Sequence, residues 1–226
     1  MKELPIHREL LISARNYPQR IWSIRILQQT ASAKSVPISE LNTAAAEIEI
    51  ISERAAERIQ ARFNNCSITE MAQHFGIVIE LSKDESIEHY AKLGMFTEPN
   101  IITLYTATIE LLNQNLTHFF TGEEFNLYDV VLAHEMYHAL EHLEIATGPD
   151  KMVVHACDGI IRKRVLPKQA IEEISAFAFA KAICHSKLES GFIHLMLLDS
   201  ISKEASEKEI ELISQVMKQL EGKDEQ

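Results

Sequence analysis

Glycine and proline are scarce, at 7 and 6 in 226 residues. An all-β chain spends such residues at every reversal, so their shortage points toward helix. Cysteine is also sparse. Cys66, Cys157 and Cys184 are odd in number and widely spaced, with no Cys-x-x-Cys pair. That excludes a disulfide framework and a zinc ribbon, and suits reduced thiols in a cytosolic protein. No apolar run approaches the roughly 18 residues of a membrane span, and the opening "MKELPIHREL" has no hydrophobic signal core. A soluble, cytoplasmic protein is expected. Positive charge is lacking too: at a net charge of −11 the chain is a poor match for phosphate backbones or anionic membranes. Neither membrane association nor direct nucleic-acid binding is expected.

What is present is a hydrophobic fraction of 46%, enough for a real core in one domain of ordinary size or in a core domain with helical additions. The charge is mildly asymmetric. Residues 1–37 lean basic through Lys2, Arg8, Arg15, Arg20, Arg25 and Lys34, and residues 204–226 lean acidic. The basic segment reads as a solvated helix face, with docking to an acidic partner as the alternative.

Along the chain, Leu41, Ala45, Ile48, Ile51, Ala55 and Ile59 follow helical spacing and predict one long amphipathic helix with Ser39 as N-cap. In "CSITEMAQHFGIVIEL", Ser67 and Glu70 have capping-box spacing and Gly76 supplies a C-terminal stop. Ile77, Val78 and Ile79 then read as a short buried strand. A polar recognition helix is missing there, which argues against helix-turn-helix DNA reading. "HYAKLGMFTE" and "NIITLYT" form an expected antiparallel pair, followed by a helix through "TIELLNQNLTHFF". Asn126 and Gly148 are the expected start and stop of the next helix. "KMVVHACDGIIRKRVL" has no decisive period and is read as extended. Pro167 opens a further helix, and Ile210, Ile213, Val216, Met217 and Leu220 mark a C-terminal amphipathic one.

The chemistry lies in "VVLAHEMYHALEHLE", residues 130–144. Residues four apart lie on one helical face, so His134 and His138 can present both imidazoles to one zinc ion. Glu135 is rotated by roughly 100° from His134 and can reach a zinc-bound water as general base. His142 stands roughly 12 Å along the axis from His134, too far to share an ion with bonds of about 2 Å. It is expected at the periphery, and the third ligand must come from elsewhere. The helix after Pro167 supplies it. Ile171, Ile174, Phe177, Ala178, Phe179, Ala182 and Ile183 wrap nearly its whole circumference, predicting burial that Glu172 and Glu173 would share. Alanines beside Glu173 allow close helix approach, and Glu172 can orient a ligand histidine instead. Spacing alone does not separate the two.

The two motifs together, "LAHEMYHALEH" and "EISAFAFAKAI", resemble the ImmA/IrrE family of zinc metallopeptidase domains. In that family a later helix carries a Glu with Phe-Ala four and five residues after it. Glu173 followed by Phe177 and Ala178 matches that register, and Glu172 does not. The likeness covers residues 67–184 and includes the helix and Gly-Ile strand of "ITEMAQHFGIVIEL". Tyr137 stands where the family usually has Gly.

The resemblance implies a zincin-like α+β fold, mostly helical, with a small antiparallel-containing sheet packed on the active-site helix. The boundaries expected are an N-terminal helical segment (1–65) packed on a metallopeptidase core (66–186), then a C-terminal helical extension (187–226). It further implies a gluzincin-like set of His134, His138 and Glu173, with Glu135 as catalytic base. The reaction would be hydrolysis of peptide bonds in an intracellular protein such as a repressor or other regulator. An oxyanion donor is also needed, and Tyr137, His155 and His185 are candidates by type alone. A serine or cysteine hydrolase is poorly supported, since Gly-x-Ser-x-Gly is absent and no residue type near the thiols would activate them. Peptide deformylase shares His-Glu-x-x-His but needs a cysteine ligand that cannot be placed. The alternative is an inactive, metal-stabilised regulatory or interaction module.

Overall fold

The computed structural model describes residues 4–83, 92–120, 125–146, 148–149, 151–157 and 161–222. They form a mostly helical α+β protein. The chain divides into two compact units, one of Met1–Ile50, Pro149–Ile174 and Glu189–Gln226, the other of Ile51–Gly148 and Ser175–Leu188. Among the described residues no helix is long and apolar enough to cross a membrane.

The first unit is built from α1 (Leu4–Arg15), α2 (Gln19–Gln28), the first half of α3 (Ile38–Arg62), a hairpin, α8 (Ser190–Ile201) and α9 (Lys203–Glu221). Helices α1, α2 and α8 pack on α9, and Leu11, Ile24, Leu27, Phe192, Leu195, Ile210, Ile213 and Val216 of these helices are buried. Two of the leading arginines do not form a solvated face. Arg25 pairs with Glu209 at 2.8 Å, and Arg20 with Glu49 at 2.8 Å. Part of the N-terminal positive charge is thus neutralised within the unit. Helix α8 has no counterpart among the elements expected from sequence; "GFIHLMLLDS" is apolar on most sides and suits a buried helix.

The hairpin joins β4 (Val153–Cys157) and β5 (Ile161–Val165), so the ambiguous "KMVVHACDGIIRKRVL" is extended over those residues. Helix α3 starts at Ile38, which makes Ser39 its second residue rather than its cap. The Pro37 carbonyl accepts from the Glu40 and Leu41 amides, so the proline opens the helix.

The second unit holds the rest of α3, then α4 (Ile68–His74), β1 (Val78–Ser82), β2 (Gly94–Thr97), β3 (Ile101–Tyr105), α5 (Thr106–Leu116), α6 (Leu127–His142) and the end of α7 (Lys168–Ile183). The Ser67–Glu70 capping box forms, and Gly76 takes φ +73 to end α4. The sheet order is β1-β3-β2, with β1 parallel to β3 and β2 antiparallel to it. The expected antiparallel pair is therefore present over residues 94–105; His89–Ala91 lie outside the described residues. The expectation of a buried strand after Gly76 fails. Ile77 is buried, but Val78 and Leu81 are exposed because β1 lies at the sheet edge. Ile102 and Leu104 of the central strand are fully buried, and β2 and β3 pack on α6.

Candidate metal centre

Helix α6 begins where predicted. The Asn126 side chain accepts from the Asp129 amide, and Asp129 in the first turn suits the positive end of the helix. The helix does not run to Gly148. It ends at His142, because Glu144 adopts a left-handed φ of 57° and the Ile145 amide closes on the Leu140 carbonyl at 2.8 Å. Gly148 has another role: a Cβ there would lie 2.6 Å from the Tyr137 hydroxyl and 2.8 Å from the Ser175 hydroxyl.

One side of α6 is buried through Val130, Leu132, Ala133, Met136, Tyr137, Ala139 and Leu140, whereas His134, Glu135 and His138 are half-buried. The motif is thus carried by a core-packed helix yet reachable from outside. The Nε2 atoms of His134 and His138 are 3.3 Å apart, with the rings at 75°. Two nitrogens held about 2.05 Å from one ion at a tetrahedral angle stand roughly 3.3–3.4 Å apart. The pair is spaced as zinc would space it.

Glu173 is carried on α7, whose later residues Ser175–Ile183 belong to the same unit as α6. One turn beyond it, the Phe177 ring packs on His134 with centroids 4.7 Å apart. This contact helps set the imidazole's orientation. His134, His138 and Glu173 each offer a ligand atom, and these atoms lie within 4.8 Å of one another. That span is wider than a bound ion would leave, and the several side-chain torsions of a glutamate allow it to close. Two imidazoles and one carboxylate form a donor set suited to zinc with a coordination position left open.

Glu172 goes elsewhere. Its carboxylate pairs with Lys168 at 2.7 Å along the helix, and both Glu172 and Glu173 are half-buried rather than buried as expected. Spacing leaves the two glutamates open; Glu173 is the one with a carboxylate oxygen within 4.8 Å of the histidine nitrogens.

Glu135 lies off the line of the two histidines, as its helical rotation requires. Its Oε2 accepts from the Phe96 amide of β2 at 2.9 Å. Strand β2 comes this close because residue 94 has no side chain: a Cβ there would lie 2.7 Å from Glu135 Cγ and 3.1 Å from Val131 Cγ1. Gly94 and Phe96 do not stand out in the sequence. The available signal is an isolated glycine in an extended run, which marks close backbone approach.

His142 is peripheral as expected. Its Nδ1 is 3.5 Å from Glu98 and its ring packs on Phe96. Tyr137 is fully buried against Phe179, and burial pushes its phenol up to about 12. His155 Nδ1 contacts Glu40 at 3.1 Å, and His185 Nε2 contacts the Gln60 amide nitrogen at 2.7 Å.

Compared with family models, curated proteins and solved structures, the chain matches none.

Proposed function

We propose that the chain is a zinc-dependent peptidase of zincin-like fold, similar to ImmA/IrrE domains, which cuts peptide bonds in an intracellular protein such as a regulator. The observation that carries this reading is the convergence of His134, His138 and Glu173, with the two Nε2 atoms at coordination spacing and Glu135 beside them. Zinc bound there would supply Lewis-acid polarisation of a carbonyl and a water of lowered pKa.

The chain's own residues do the rest. His134 and His138 would hold the ion from consecutive turns of α6, and Glu173 would offset part of its charge from α7. Glu135 takes a proton and later returns it to the leaving amine. The Phe96 amide fixes that carboxylate against β2. Three free cysteines accord with a reducing, cytoplasmic setting.

One observation favours the second reading, a metal-stabilised regulatory module. Glu135 already ties α6 to β2, and a purely structural role would use the same bond.

The decisive experiment pairs elemental analysis with digestion of a peptide library read by mass spectrometry. About one zinc per chain is expected in wild type, Glu172→Ala and Glu135→Gln, and far less in His138→Ala and Glu173→Ala. Cleavage should appear in wild type and vanish in Glu135→Gln. Zinc without cleavage in wild type supports the module, and no zinc in refolded or zinc-supplemented wild type overturns both readings.

A further inference from the structure

Among the described residues, the β4–β5 hairpin has one edge occupied and one open. On β4, the His155 amide donates to Glu40 Oε2 at 3.3 Å and the Cys157 amide donates to the Ser35 carbonyl at 2.9 Å. These bonds show that His155 and Cys157 turn their amides away from β5. The ladder itself must then run through the alternate pairs, Val154 with Arg164 and Ala156 with Arg162. The Leu166 amide bonded to the Met152 carbonyl at 2.9 Å continues the same phase. On β5 the outward amides and carbonyls therefore belong to Ile161, Lys163 and Val165. No described residue bonds to those three amides.

The side chains at this edge are also uncovered. Ile161 is 72% exposed, Val165 49% and its cross-strand neighbour Val153 43%. Arg162 and Lys163 are exposed, with no described ion-pair partner. The outward-facing residues read apolar, basic, apolar, with Arg162 and Arg164 flanking Lys163. A single lysine suffices to guard an edge. Two exposed cations, Arg162 and Lys163, between two exposed aliphatic residues in a chain of net charge −11 do more: they put positive charge where the backbone can pair.

We propose that the β5 edge is a docking site for an extended, acidic segment of another protein, added as a third strand. Its alternate residues would read apolar, acidic, apolar, placing a carboxylate near Lys163 and aliphatic side chains near Ile161 and Val165. The charge disfavours the other occupants. A second copy pairing edge to edge about Lys163 would set cations against cations. Nucleic acid would meet few cations on a strongly acidic protein, and its affinity comes largely from phosphates neutralised by Lys and Arg.

The test uses the full chain and a fluorescein-labelled, capped peptide alternating threonine with valine, glutamate and valine, followed by anisotropy at low and physiological salt. Binding of this peptide is expected, with at least about tenfold weaker binding of the same peptide carrying lysine for glutamate. Lys163→Glu should reverse that preference. Lys163→Pro should abolish binding yet leave the circular dichroism unchanged, since the lost amide lies outside the ladder. An N-methylated acidic peptide should fail to bind. No binding of the acidic peptide to wild type, or equal binding of both peptides, would overturn the proposal. So would tighter binding of a duplex oligonucleotide, or self-association on gel filtration that Lys163→Glu removes.

Discussion

The Phe96 amide of β2 donates to the Glu135 carboxylate of α6 at 2.9 Å, joining the edge of the sheet to the residue beside the candidate ligand His134. The bond places the proposed base by an element roughly forty residues earlier in the chain, through a strand that can approach only where it has a glycine.

Gly94→Ala should therefore act on Glu135. The added Cβ meets Glu135 Cγ at 2.7 Å and Val131 Cγ1 at 3.1 Å, and Val131 is packed in the core. Displacing a catalytic carboxylate by about 1 Å can cost on the order of a hundredfold in rate. Cleavage should fall by more than about tenfold at unchanged zinc content, with a stability loss of about 1–3 kcal/mol. Full activity in Gly94→Ala would show that the position of Glu135 is not held through β2.

Alkaline pH should loosen the fold through Cys184. Burial, helped by the nearby Asp129 charge, pushes this thiol from 9.0 up to about 12. The group stays protonated in the folded chain while the unfolded chain loses its proton. Its stabilising contribution is complete below about pH 9 and is lost as pH rises toward 12, by up to about 1.4 kcal/mol per pH unit. Thermal melts from pH 8 to 11 should show Tm falling more steeply in wild type than in Cys184→Ala. The exposed Cys157 should also be alkylated before Cys184. Parallel Tm profiles, or earlier labelling of Cys184, would contradict this.

Gly191→Ala probes the first unit. A Cβ at Gly191 would run into the Trp22 ring, and Trp22 is itself buried. A loss of roughly 3 kcal/mol or more is expected in denaturant titration. Trp22→Phe in the same chain should recover part of it, since the two positions are coupled. A Gly191→Ala chain as stable as wild type would show that α8 shifts without cost.

Much of the fold is legible in the sequence because its signals are local. The Ser67–Glu70 capping box, Gly76 and the Asn126 cap each act within a few residues, and each forms as expected. Helical spacing also picks out the buried face of α3, where all of the named apolar residues except Ile51 are buried. Expectation fails where a distant partner decides. Val78 has the character of a core residue but is exposed, because strand order, not composition, puts β1 at an edge. Gly148 has the character of a helix stop, yet Glu144 makes the stop and Gly148 yields space to Tyr137.

Helical periodicity alone requires that His134 and His138 share one face and that Glu135 does not, since about 3.6 residues per turn leave no other arrangement. That the Phe96 amide holds Glu135, and that the Phe177 ring packs on His134, comes only from the packing of one element on another. Adjacent residues on a helix differ only in direction, and direction acquires meaning only when another element occupies it.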